Sequence, residues 1–260
     1  MLLLNLASTE APGDTDLGTY ISLTFPLSDY NQVAVPHLGN FAIRPGDPNT
    51  YPLLTASSAS YDRYVYNFSA SLVRSGTVAI DIGAKSGAYS CGLAQIIGSG
   101  GRVYAFEHHL QRYTELLTHV LMNGLENVTC RRAGLSNAAG WVTYPDTDYP
   151  SSGGVVLPTG GSGLVQIVLL DTLNLTNVSF MKIDVNGTEL EVLGGAVTTI
   201  TTNLPTVLII FLNGNTDYTS LPMGNSDKTH IDNCLNWFAT RNYSRVYISR
   251  STFLFIPNRS

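Results

Sequence analysis

The stretch Thr77-Val-Ala-Ile-Asp-Ile-Gly-Ala-Lys-Ser-Gly-Ala-Tyr-Ser90 restricts this chain more than any other. A short β-type apolar run, Val78 to Ile82, passes into a loop carrying Gly83 and Gly87, and a segment of helical character follows at once. A strand that stops at a glycine turn and feeds a helix is how an open α/β sheet cradles a nucleotide-like ligand. Glycine lets the backbone approach that ligand with no Cβ in the way. The helix start beside it offers N–H groups that have no partner within the helix. The spacing narrows the ligand further. A dinucleotide loop reads G-x-G-x-x-G, whereas here the glycines stand four apart, Asp81 precedes the first by two, and no third glycine follows.

Strands and helices then alternate. Tyr61, Tyr64, Val65, Phe68 and Leu72 have helical spacing and predict a leading helix within 56–75, closed by Gly76. Strands are predicted at Val78–Ile82, Arg102–Phe106, Val128–Arg132, Trp141–Tyr144, Val165–Leu169, Phe180–Asp184 and Thr206–Leu212. Helices are predicted at Tyr89–Ile97, Leu110–Asn123, Thr188–Thr199 and Ile231–Ala239, and a loop over 145–163. Arg245–Ser249 and Thr252–Ile256 read as a closing antiparallel pair. Such alternation implies a doubly wound α/β fold, a mainly parallel sheet with helices on both faces. Residues 1–55, punctuated by six prolines, read as an N-terminal extension to a single domain at 56–260.

Composition excludes some partners. Charged residues are only 13% of the chain, the net charge is −5, and lysine occurs only at 85, 182 and 228. That balance exerts no general pull on a phosphate backbone. It makes self-association plausible. Cys91, Cys130 and Cys234 are too widely spaced for a disulfide framework or a Cys-x-x-Cys metal site and read as buried thiols of a reducing, cytoplasmic protein. The Met1-Leu-Leu-Leu start lacks a basic leader, and the longest later apolar run, Val207–Leu212, is far below the roughly 20 residues of a membrane span.

Further blocks make the pattern more specific. Arg102-Val-Tyr-Ala-Phe-Glu107 ends in an acid about twenty residues past the glycine loop, where doubly wound folds place a ribose-binding carboxylate. Arg131-Arg-Ala-Gly-Leu-Ser-Asn137, Leu169-Leu-Asp-Thr-Leu173 and Met181-Lys-Ile-Asp-Val-Asn-Gly-Thr-Glu-Leu-Glu-Val-Leu-Gly-Gly-Ala196 follow in order. Asp-x-Gly-x-x-x-Gly resembles the first motif of class I S-adenosylmethionine-dependent methyltransferases, and the ordered set, over about residues 60–257, resembles the FkbM-type family of that class. The resemblance implies a Rossmann-like seven-stranded sheet with an antiparallel last strand. It also implies S-adenosylmethionine as methyl donor and O-methylation of a sugar, glycan or other small hydroxylated metabolite. Carried over by position, Asp81, Gly83, Ala84 and Gly87 would wrap the methionine part of the donor, and Glu107 would hold the ribose. Leu135 and Ser136 would sit near the adenine, and Asp184 beside the methyl group. Ser90 and His108, at the same two strand ends, complete the expected donor set.

For the chemistry, Asp184 is the first candidate base, Glu189 the second, and Lys182 a residue that steers either carboxylate. Equally, Asp184 serves structure as a strand-end acid, and Glu191 serves the helix dipole. His108 and His109 are adjacent and point apart, so no metal site is expected. Departures from the family pattern are Lys85 for Asn, His108 for Pro, Asn186 for Glu, and Phe211-Leu-Asn213 where an acid is usual. Two alternatives therefore stand beside the O-methyltransferase: an RNA methyltransferase of cap type, and a non-catalytic binding module. Thr216, Asp217, Tyr218 and His230 are candidate acceptor contacts in a segment without a readable motif.

Overall fold

The computed structural model describes residues 2–3, 24–25, 31–35, 38–43, 61–144, 163–211, 225–249 and 252–259. Strands β1 (Leu2–Leu3) and β2 (Thr24–Phe25) form one short pair, and β3 (Asn31–Val35) and β4 (Gly39–Ile43) a hairpin. After α1 (Tyr61–Ala70) come β5 (Val78–Ile82), α2 (Ala88–Ile97), β6 (Arg102–Phe106), α3 (Leu110–Met122) and β7 (Val128–Arg131). Three strands follow, β8 (Ala133–Leu135), β9 (Gly140–Tyr144) and β10 (Gly163–Val168). The chain continues through β11 (Val178–Ile183), α4 (Glu189–Gly194), α5 (Val197–Asn203), β12 (Thr206–Ile210), α6 (Asn225–Ala239), β13 (Tyr243–Ser249) and β14 (Thr252–Pro257).

Seven strands form the central sheet in the order β13-β14-β12-β11-β5-β6-β7. β12, β11, β5, β6 and β7 are parallel, and β14 runs antiparallel to both its neighbours. The mixed α/β architecture with a mainly parallel seven-stranded sheet is therefore the one expected. Its inner strands are apolar because both faces are covered; all six residues of β11 are buried. On one face Ala79, Leu93, Ile97, Val103, Leu116 and Phe180 meet α1, α2 and α3. On the other, Ile80, Ile82, Met181, Ile183, Leu193, Phe238 and Phe255 meet α4, α5 and α6. Cys91 and Cys234 are buried in these cores, Cys130 is half-buried, and all three are free thiols.

Several elements depart from the sequence pattern. The helix expected over 188–199 is two helices, α4 and α5, with Gly195 at the break; a Cβ on Gly195 would collide with the Ser136 carbonyl oxygen. The strand expected at 165–169 lies outside the main sheet. β10 pairs parallel with β8 and antiparallel with β9, so 133–135 is a strand that the pattern did not separate from β7. In α1, Phe68 of the expected apolar stripe is 36% exposed, while Val65, Tyr66, Ser69 and Ala70 are buried. The loop 145–162 and residues 212–224, which include Thr216, Asp217 and Tyr218, lie outside the described residues.

The β3–β4 hairpin packs against α3. Leu38 and Phe41 are fully buried in the α1–α3 core. His119 of α3 fastens the hairpin: its Nδ1 lies 2.6 Å from the Ser86 carbonyl, and its Nε2 accepts the Ala42 N–H at 3.1 Å. Among the described residues, no helix is long and apolar enough to cross a membrane.

Candidate functional site

The site grows from the turn after β5. Gly83 and Ala84 N–H both donate to the Phe106 carbonyl of β6, at 3.0 and 2.9 Å, so the loop crosses the carboxyl ends of two adjacent strands. Gly83 has φ +75°, and a Cβ there would collide with the Asp184 carbonyl oxygen. Only glycine satisfies both demands. Gly87, at φ +86°, opens α2 and lies against Leu116. Between them Lys85 is held at φ +52°, a left-handed conformation costing a Cβ-bearing residue about 1–2 kcal/mol. Asparagine tolerates that region better than lysine. The substitution therefore carries backbone strain.

The lysine side chain occupies that place in a chain of alternating charges. Register sets Lys182 of β11 beside Asp81 of β5. Its ammonium donates to Asp81 Oδ1 at 2.9 Å and to the Gly83 carbonyl at 3.0 Å, and lies 3.7 Å from Asp184 Oδ2. Lys85 Nζ donates to the same Asp184 oxygen at 2.8 Å. Ser90 completes the array by donating to Asp81 Oδ2 at 2.7 Å. The sequence Asp81–Lys182–Asp184–Lys85 thus alternates in sign and sums to zero. Burial pushes the Asp184 pKa up, but attraction to Lys85 and then to Lys182 outweighs it and holds the carboxyl below its ordinary value. Asp81, Ser90 and Lys182 are buried beneath the loop, whereas Asp184 is partly open at its rim.

Glu107, one residue past β6, folds back onto the loop. Its Oε2 accepts the Lys85 N–H and its Oε1 the His109 N–H, both at 2.8 Å. His108 Nδ1 stands 3.4 Å from Oε1. Burial lowers the His108 pKa, with His109 and Arg132 acting in the same direction and Glu107 against it. His109 is the N-cap residue of α3. Leu135 is buried at the end of β8, and Ser136 follows, its N–H bonded to the Val168 carbonyl at 3.1 Å.

A second carboxylate stands beyond Asp184. Glu189 is fully buried, accepts the Gly187 N–H at 3.0 Å, and meets His230 Nε2 at 2.6 Å. His230 comes from α6, with Cys234 Sγ 4.0 Å from the same nitrogen and the Phe211 ring edge-on at 6.2 Å. Phe211, where an acid is usual in the resembling family, is core. Glu191 is exposed on the first turn of α4. Sequence reasoning did not foresee the Lys85–Asp184 or the His230–Glu189 pair. The unusual lysine between the two glycines was the available signal for the first. No local signal marked the second.

A glycine turn on the strand that neighbours the topological switch, an acid at the end of the next strand, and an antiparallel seventh strand inserted beside β12 define the class I methyltransferase fold. Comparison with known families and structures narrows this. Residues 81–244 match the methyltransferase FkbM domain, and the chain belongs to that family, whose methyl donor is S-adenosylmethionine. No curated protein matches the chain. Among solved structures, the methyltransferase FkbM from Methylobacillus flagellatus KT is 17% identical at a TM-score of 0.47, the match covering 74% of this chain and 51% of that one. This chain thus spans about half the length of that protein. An rRNA methylase from Streptococcus thermophilus is 14% identical (TM-score 0.47), with 77% and 96% covered. The Aeropyrum pernix fibrillarin, solved with S-adenosyl-L-methionine, is 15% identical (TM-score 0.44), with 71% and 67% covered.

Proposed function

We propose that this protein transfers a methyl group from S-adenosylmethionine to a hydroxyl of a sugar, glycan or other small metabolite. The observation that carries the reading is the neutral Asp81–Lys182–Asp184–Lys85 array directly under the glycine turn. The residues fit the donor. Gly83 and Gly87 provide a backbone approach without side-chain obstruction, Ala84 adds only a methyl group, and Leu135 and Ser136 would flank the adenine side. Each Glu107 oxygen accepts one backbone N–H and keeps a second lone pair for a ribose hydroxyl. Asp81 and Ser90 act from beneath, through Lys182, by fixing the loop.

When bound, S-adenosylmethionine supplies a methyl group already activated as a sulfonium. The chain's own residues have to align the acceptor and take its proton. Asp184, held ionised by two ammonium groups, is suited to accept a hydrogen bond and orient the hydroxyl, and poorly suited to remove its proton. His230 is the better base. Glu189 fixes the ring through Nε2–H and stabilises the imidazolium once the proton has arrived.

Calorimetric titration with S-adenosylhomocysteine is expected to give saturable heat; its absence would remove the reading. Incubation of the protein and labelled donor with fractionated extract should place label in glycans or small hydroxylated metabolites. Label in RNA instead would overturn the acceptor class. His230→Gln should reduce turnover on the order of 10²–10⁴-fold at unchanged donor affinity, and undiminished turnover would exclude His230 as the base.

A further inference from the structure

At the opposite end of the sheet, where the parallel strands begin, three connections and the C-terminal segment border an open concavity of about 530 Å³. Arg74 enters from the α1–β5 connection, Asn203 from the end of α5, Arg241 and Asn242 from the α6–β13 turn, and Asn258 and Arg259 from beyond β14. Among the described residues no carboxylate side chain lines it, although acids outnumber lysine and arginine by 19 to 14 in the chain. Three of the chain's eleven arginines line it.

The ends of α5 and α6 place unpaired carbonyls in this region, and cations are favourable there without any ligand. That need accounts for two of the three. Arg241 donates to the Trp237 carbonyl at 2.9 Å and stacks on the Trp237 ring at 3.9 Å; Arg259 reaches the Leu204 carbonyl at 3.4 Å. The exposed Arg74 guanidinium has no hydrogen-bond or ion-pair partner among the described residues. A guanidinium carries five N–H donors, so Arg241 and Arg259 retain most of theirs after meeting the carbonyls. The rim is also strained: Leu204 and Asn242 sit at φ +49° and +62°. The Asn242 amide is tied to Asn258, donating to its carbonyl at 3.1 Å. Among the described residues no acidic side chain lines the concavity beside these three guanidinium groups, and an anion held between them would be stabilised by each.

We propose that this concavity is a binding site for a phosphorylated small molecule. Guanidinium forks pair with phosphoryl oxygens in bidentate fashion. A doubly charged tetrahedral group suits three guanidinium forks better than a singly charged planar carboxylate. The volume lies within the roughly 300–1,000 Å³ of ligand pockets and accommodates a nucleotide-sized molecule. The site is remote from the glycine turn and independent of the donor reading.

The test titrates the full chain with pyrophosphate and with ADP by calorimetry, in parallel with Arg74→Gln, Arg259→Gln and Arg245→Gln. Arg245 is exposed on β13 and does not line the concavity. Saturable binding that weakens about tenfold or more in Arg74→Gln and Arg259→Gln, and is unchanged in Arg245→Gln, is the expected result. No binding to the wild-type chain, or equal weakening in all three variants, overturns the proposal, the latter because it reports diffuse surface attraction. Arg74 and Arg259 are both exposed, and coincident melting curves for these variants exclude misfolding as the cause of any loss.

Discussion

Lys182→Met is the most searching perturbation of the site. Methionine keeps much of the side-chain volume and removes the ammonium group. Asp81 is fully buried, and the Lys182 side chain is 4% exposed. The substitution deletes the bonds to Asp81 and to the Gly83 carbonyl and leaves Asp81 with the Ser90 hydroxyl alone. Removing one partner of a buried ion pair costs about 3–5 kcal/mol, because the other charge remains uncompensated. For a domain of this size, each kcal/mol moves Tm by about 2–4 °C, so a fall of roughly 6–20 °C is expected. Circular-dichroism melting, with urea titration for the free energy, measures it. Asp81→Asn in the Lys182→Met background should restore part of the loss, giving a coupling energy of about 0.5–3 kcal/mol between the two sites. A Tm shift under about 2 °C, or strictly additive single effects, would refute the argument that this pair holds the loop.

Three further outcomes follow from the same geometry. Gly83→Ala should abolish S-adenosylhomocysteine binding and lower Tm, since its Cβ meets the Asp184 carbonyl in a left-handed backbone; retained affinity by calorimetry would count against the turn as the donor cradle. Lys85→Asn should leave stability within about 1 kcal/mol, as relief of left-handed strain offsets a partly exposed ion pair. Carboxyl NMR titration should then find the Asp184 pKa raised, and an unmoved value would deny Lys85 its control over that group. His119 is buried and neutral: burial lowers its pKa, and the hydrogen bonds with Ser86 and Ala42 only partly oppose this. Below the ordinary histidine value of 6.5 the unfolded chain therefore binds the proton first. Stability should be full above that pH and fall as pH drops through it, by up to about 1.4 kcal/mol per pH unit. Urea midpoints between about pH 5 and 8 check this, and an identical slope in His119→Asn would exclude His119 as the source.

Local pattern carried much of the architecture. The turn from β5 into α2 is written in contiguous residues, because an apolar run, two glycines and a helix start act through nearest neighbours. Alternation of apolar runs with helical spacing made a parallel sheet legible, and Thr252–Ile256 its antiparallel member, without any distant contact. Where a local signal was weak, tertiary contacts decided. Gly195 breaks one expected helix because Ser136, far away in sequence, leaves no room for a Cβ. Phe68 turns outward and Tyr66 inward because α1 packs on α2 beside Leu38.

The site divides along the same line. Asp81, Gly83, Gly87, Glu107 and Asp184 could be named from spacing, since each ends a strand or opens a turn. Their partnerships could not. Lys182 meets Asp81 across 101 residues, Lys85 meets Asp184 across 99, and His230 meets Glu189 across 41. Those pairings exist because β11 lies beside β5 although more than ninety residues separate the strands, and because α6 covers α4. Periodicity assigns an element its type and its buried face. Which element lies alongside which, and in what register, depends on how the whole set of apolar faces closes, and that closure sets the charges around Asp184.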